Sequence, residues 1–325
     1  NGVGTAKVYA YFDGNSYYNA CSDYVTFKVN KGIQSLSITG DSTINAGSSK
    51  TFSGSGAKGL TSWSSSNQSI ATVSSVGLVK GISYGEAIIT LSANATDKYE
   101  AGSTTKTIKV NRINQTVSMS VGSLTLAYGE SKQLSVTSQT TPTWTSSNSA
   151  YASVNSSGKV TGAYPGNATI TASAPANGVY NAGSATCSVT VTKANTSIKL
   201  KNAAGTEVDT LTFTYSPTAT YYQLTYYISD TVTNTQWGSS NPSVAYFDTT
   251  YYGMLYLGNA GTTELKAYWD GNAYYHSAAD TITLTINKAS QTIYWNATKT
   301  PINVGATSKF TVSGNATGMY YSSSN

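Results

Sequence analysis

Charge is scarce in this chain. Only 10% of its 325 residues are charged, against about 25% in an ordinary globular protein. A single arginine, Arg112, stands among 19 basic residues. A protein that reads nucleic acid clusters Lys and Arg on one face and grips base edges with Arg. No such cluster exists, so nucleic acid is excluded as a partner, and the lysines are read as solvating strand faces and guarding sheet edges. Histidine is scarcer still: His276 is the only one. Any Ser-His-Asp triad or histidine metal site would have to pass through it. Long apolar runs are missing, which excludes membrane insertion by a spanning helix in this segment. The two cysteines, Cys21 and Cys187, lie far apart and at different places in the pattern described below. Neither bridges within a domain, and both are read as lone buried thiols that say nothing of compartment. Low charge here is not disorder, which pairs low hydrophobicity with high net charge; 39% of the residues are hydrophobic, and they alternate with polar ones.

What is present is a repeat. The runs W-S-S-S-N at 63–67, W-T-S-S-N at 144–148, W-G-S-S-N at 237–241 and Y-S-S-S-N at 321–325 mark four copies. Tyr18, Tyr99, Tyr180 and Tyr275, each in an N-x-Y-N-A-like turn, are spaced 81, 81 and 95 residues apart. Lys31, Arg112, Lys193 and Lys288 show the same spacings. Three markers with one period divide the chain into a partial repeat 1–30 (C-terminal strands), full repeats 31–111, 112–192 and 193–287, and a partial repeat 288–325 (N-terminal strands). The third full repeat is longer, with most of its excess before Trp237, and it is rich in tyrosine. The chain opens and closes mid-pattern, so both ends are expected to be cuts through a longer polypeptide.

Each unit reads as strands only. Period-two alternation places Ala6, Val8 and Ala10 inward in the first copy of one strand. It does the same for Ala87, Ile89 and Leu91, for Ala168, Ile170 and Ala172, and for Thr263, Leu265 and Ala267. About seven short strands per unit, separated by Gly, Ser, Asn and Asp turns, predict a β-sandwich. Trp63, Trp144, Trp237 and Tyr321 stand where a sandwich places its central core aromatic.

Sites for chemistry are few. The G-x-G-x-x-G match at 54–59 runs straight into another strand rather than a helix, so it is a Gly-rich loop and not a dinucleotide site. His276 falls at a variable turn position. Glu207 and Asp209, the closest acidic pair, are read as solvating carboxylates on one strand face, not a glycosidase pair. No acidic loop with calcium-ligand spacing exists. No catalytic residue, cofactor or metal is expected. The tyrosines are more suggestive. The pairs Tyr221–Tyr222, Tyr226–Tyr227 and Tyr251–Tyr252 must each send one ring outward in a strand. An exposed tyrosine offers contact area with a polar tip, so these six are candidates for a contact surface.

The run W-S-S-S-N-x-S-I-A-T-V-S-S-x-G-L-V-K-G-I at 63–82, followed by Gly85 and an alternating strand, resembles the bacterial immunoglobulin-like group 2 domain of intimin- and invasin-type surface proteins. The resemblance covers the three full repeats and both fragments, with the third departing at 251–257. It implies an all-β fold of tandem Ig-like sandwiches, and the absence of Pro-rich or Gly/Ser linkers between units predicts that they are arranged as an elongated rod. It also implies an extracellular place on a bacterial cell surface and no catalysis. The expected role is a stalk or adhesin repeat region that spaces and presents a distal head. Its partners would be the neighbouring repeats, other copies of itself, a host protein or a surface glycan. A self-assembling filament, sheath or virion fibre is the alternative, and an ancillary module of a secreted glycan-active enzyme a further one.

Overall fold

The computed structural model describes residues 2–218, 220–228, 234–251, 253–295, 301–309, 311–314, 318–320 and 322–324. The described residues form strands and turns, with no helix among them. The chain divides into two compact units, one of residues 1–126 and 130–190, the other of 127–129 and 191–325.

The first unit opens with a hairpin, β1 (Gly4–Phe12) and β2 (Cys21–Val29). The strands pair antiparallel over their full length, from Gly4 opposite Val29 to Phe12 opposite Cys21. Every residue of both strands is exposed. Alternation places Ala6, Val8 and Ala10 inward, but they are exposed rather than buried, because no second described sheet pairs with this hairpin. For the same reason Cys21 is an exposed free thiol, while Cys187 is the buried one.

A sandwich follows, built of β3 (Ser37–Thr39), β4 (Thr43–Asn45), β5 (Ser49–Thr51), β6 (Ser53–Ser55), β7 (Thr61–Ser65), β8 (Ala71–Val73), β9 (Leu78–Gly81), β10 (Gly85–Ala93) and β11 (Gly102–Asn111). One sheet has the order β4-β11-β10-β7; facing it are β5-β9-β8 and the pair β3-β6. Nine segments make seven strands, since β3/β4 and β5/β6 are broken strands. The first strand changes sheets: β3 pairs antiparallel with β6, and β4 pairs parallel with β11. Such switching is how sandwich corners are made.

The core lies where the alternation puts it. Ala87, Ile89 and Leu91 of β10 are at most 2% exposed, and Ala87 and Ile89 pack with Ile108, Val110, Ile44, Phe52 and Val79. Each fully buried aliphatic side chain contributes about 1.5–3 kcal/mol relative to exposure. Gly77 completes the break between β5 and β6. Its carbonyl accepts from the Phe52 N–H at 2.8 Å with the glycine at φ +82°, and a Cβ there would meet the Phe52 carbonyl oxygen at 2.4 Å. Gly158 and Gly253 take the same part opposite Leu134 and Leu224.

The same sheet orders recur twice. Ser123–Ala127, Gly183–Thr192, Gly166–Ala174 and Thr143–Ser146 form a four-stranded sheet, with Ser131–Gln133, Lys159–Gly162 and Ala152–Val154 forming a three-stranded one. Ala168, Ile170, Ala172, Cys187 and Val189 are buried there. In the second unit the four-stranded sheet is Thr210–Thr214, Ala278–Asn287, Gly261–Trp269 and Gln236–Ser239. Its core gathers Leu200, Leu224, Leu255, Leu265, Ala267 and Leu284. Thr263 is buried too, its hydroxyl accepting from the Asn241 N–H at 2.8 Å. Part of the extra length lies at 202–206, where the Asn202 Oδ1 accepts from the N–H groups of Ala204 and Thr206.

Candidate contact surface

Trp63 lies in β7 opposite Leu91 of β10, half-buried against the core of its sandwich. Trp144 lies opposite Ala172, and Trp237 opposite Ala267, both half-buried as well. Trp237 meets Phe247 at 4.8 Å and, edge to face, Tyr226 at 5.8 Å between ring centroids. Tyr321, the fourth aromatic of this set, lies outside the described residues.

Two of the three tyrosine pairs divide as strand geometry requires. Tyr222 turns inward and packs on Phe213 at 5.1 Å, while Tyr221 is 66% exposed. Tyr226 packs against the core, and Tyr227 points out with the Lys201 ammonium 5.0 Å from its ring centre. Tyr251 is exposed; Tyr252 lies outside the described residues. The three-stranded sheet aligns Tyr221 and Tyr246 on either side of Tyr256 in one cross-strand row. Tyr246 stacks on Tyr256 at 5.2 Å and 11°, and Tyr221 lies 6.5 Å from Tyr256. Asp248 lies beside Tyr256, the middle ring of this row. Backbone bonds from Thr250 (2.6 Å) and Tyr251 (3.1 Å) hold its carboxyl below the usual carboxylate range. Burial, followed by the Asp248 charge, pushes the Tyr256 phenol up. Tyr246 and Tyr256 were not singled out from sequence; they stand alone rather than in pairs, and only strand register brings them beside Tyr221.

The sequence markers also meet in space. Gly32, Ile113 and Ala194, each directly after a marker base, form parallel bridges with Tyr99, Tyr180 and Tyr275. Lys31 Nζ donates to the Thr96 carbonyl at 2.8 Å, and Arg112 Nε to the equivalent Asn177 carbonyl at 2.5 Å. The repeating base therefore caps the turn that carries the repeating tyrosine. Gln34 was missed. It is 6% exposed, its amide nitrogen donates to the Asn94 (2.9 Å) and Glu100 (2.7 Å) carbonyls, and its oxygen accepts from the Lys58 N–H (2.7 Å). Gln115, 81 residues on, repeats the pattern toward Ala174, Pro175 and Asn181. That spacing was the available signal.

Glu207, Asp209 and His276 are exposed. No group of three or more His, Cys, Asp or Glu among the described residues is arranged to hold a metal. An open cleft of about 900 Å³ in the second unit is lined by Tyr215, Asn259, Ala260, Lys288, Gln291 and Tyr294 among others, with Lys288 its only charged side chain. No helix of the described residues is long and apolar enough to cross a membrane.

The family model for the bacterial Ig-like domain (group 2) matches residues 28–103 and 114–181. No curated protein matches the chain. Among solved structures, Drosophila N-cadherin EC1-4 is similar at 10% identity, covering 88% of this chain and 84% of that one, with a TM-score of 0.26. Domains 4 and 5 of the S-layer protein SbsC are similar at 17% identity, covering 49% and 98%, with a TM-score of 0.23. The C-terminal 282-residue fragment of intimin, in complex with the intimin-binding domain of its translocated receptor, is similar at 17% identity, covering 65% and 60%, with a TM-score of 0.23. At such scores nothing is carried over from these structures to this chain. The all-strand fold and the family model agree over residues 28–103 and 114–181, two tandem regions that match the bacterial Ig-like domain (group 2).

Proposed function

We propose that this chain is a non-catalytic, extracellular spacer within a bacterial surface protein, of the stalk or adhesin kind, with 31–111, 112–192 and 193–287 as successive sandwiches. Segments 1–30 and 288–325 are then portions of two more. The observation that carries this reading is the directness of the passage between repeats. β11 ends at Asn111, and the Ile113 N–H already donates to the Val179 carbonyl at 2.9 Å, leaving one residue between. Short passages restrict hinge motion, and a repeat that touches only its neighbours extends in one dimension. Ig-like domain families are generally non-catalytic, which accords with this role. Electron microscopy of the purified chain tests it: thin rods of about 35–45 Å per sandwich are expected, and compact globules would overturn it.

A second reading, lateral assembly into a filament or sheath, is favoured by one feature, the outward row of Tyr221, Tyr256 and Tyr246. Sedimentation across a hundredfold range of concentration separates the two. A monomer throughout leaves the spacer reading; association that Tyr221→Ser with Tyr246→Ser abolishes makes the row an interface.

A further inference from the structure

Within the first unit, the 177–180 turn meets the turn between β9 and β10. The Gly178 carbonyl accepts from the Tyr84 N–H at 2.7 Å and from the Ser83 hydroxyl at 3.4 Å. The guanidinium of Arg112 lies over the Tyr84 ring, 3.9 Å from its centre, while its Nε holds the Asn177 carbonyl. Val179 packs against the core cluster that contains Phe52, Ile89 and Ile108. The approach is close: a Cβ on Gly178 would sit 2.3 Å from the Ser83 hydroxyl oxygen.

The turn is also fixed on its own side. Asn177 Oδ1 accepts from the N–H groups of Val179 and Tyr180, and Ile113 exchanges backbone bonds with Val179 and Asn181. A turn already held in shape loses little freedom on docking, so a small contact keeps most of its interaction energy. The contact joins a backbone bond, a cation–π pair and an apolar side chain entering a neighbouring core. Each of these needs both partners folded.

We infer that this joint couples the folding of 31–111 to that of 112–192, so that the two repeats unfold as one cooperative unit. The inference is independent of the role proposed above and holds for a spacer or a laterally packed fibre alike. Coupling of this kind is reciprocal: whatever one repeat gains from its folded neighbour, the neighbour gains in return.

Hydrogen exchange read by mass spectrometry on the full chain tests it from both sides. Tyr84 is 48% exposed, so Tyr84→Ala removes the ring from under Arg112 while sparing the buried core of its own repeat. Protection of 166–174, in the other repeat, is expected to fall about twofold to fivefold, the range of a partly exposed cation–π contact. Arg112→Ala should lower protection of 85–93 by a similar factor. Loss confined to each variant's own repeat, with the opposite strand unchanged in both experiments, would overturn the coupling. Gly178→Ala, whose Cβ would meet the Ser83 hydroxyl oxygen at 2.3 Å, should act like Arg112→Ala on 85–93; unchanged protection there counts against the geometry argued here.

Discussion

Replacing Gln34 by methionine isolates the worth of one buried amide. The two side chains have similar length, so the substitution keeps volume and removes three hydrogen bonds. The Lys58 N–H loses its acceptor, and the Asn94 and Glu100 carbonyls each lose a donor. At 6% exposure water does not replace them freely. A stranded N–H costs about 1–3 kcal/mol, and the two carbonyls, which keep a second lone pair, add less, for about 3 kcal/mol in all. Burying a thioether in place of an amide returns roughly 1 kcal/mol. The net loss of about 2 kcal/mol should lower the midpoint of the coupled unit 31–192 by about 4–8 °C, given 2–4 °C per kcal/mol for a unit of this size. Scanning calorimetry of the full chain, with exchange of 85–93 to assign the transition, measures it. Gln115→Met makes the internal comparison. Its amide bonds are longer, 2.8–3.3 Å, and its side chain is only half-buried, so about 1 kcal/mol is expected. A Gln34→Met midpoint within 2 °C of the parent, or a larger effect at Gln115, would refute the reasoning.

Gly158 sits at φ +84°, and a Cβ would lie 2.7 Å from Trp144 Cζ2 and 2.9 Å from the Leu134 carbonyl oxygen. Gly158→Ala should therefore cost at least about 2 kcal/mol from left-handed strain and overpacking together, read as a lower urea midpoint for the coupled unit 31–192. In the native chain one thiol, Cys21, should react with a soluble disulfide reagent, and two after denaturation; burial raises the Cys187 thiol and shields it. Asp248 has a folded pKa held below its unfolded value, so its contribution is present above the ordinary carboxylate range and fades as pH falls through the folded pKa. Protection of the Thr250 and Tyr251 amides, measured against their intrinsic exchange rates at each pH, should fall below that range, and Asp248→Asn should abolish the dependence. The same substitution should bring the Tyr256 phenol down toward its ordinary titration, followed by ultraviolet absorbance.

Alternation made the buried faces legible, because one face of each strand meets another sheet. Ile89, Ile170 and Leu265 follow from that rule alone, and all three are fully buried. The rule assigns faces but not their covers, which is why Val8 obeys the pattern and is 56% exposed. Adjacent tyrosines were legible as one in and one out, as at 221–222 and 226–227. The row through Tyr246 and Tyr256 was not, since it depends on register between strands distant in sequence. Gln34 and Gln115 escaped for a different reason: a glutamine in a polar stretch carries no hydropathic signature, and its partners are backbone groups that any sequence supplies.

The switching first strand has a consequence for a chain pulled by its two ends. β4 and β11 run parallel and side by side, so tension entering ahead of β4 and leaving after β11 drags the two strands past each other. Their hydrogen bonds are then loaded in shear, all at once, rather than opened in turn like a zipper. Force resistance thereby depends on the length of this one seam and separates from thermodynamic stability. The seam spans three residue pairs in the first sandwich, from Lys109–Thr43 to Asn111–Asn45, and five in the sandwich of the second unit, from Thr210–Thr283 to Thr214–Asn287. Under rising load the first should yield while the tyrosine-rich one still holds.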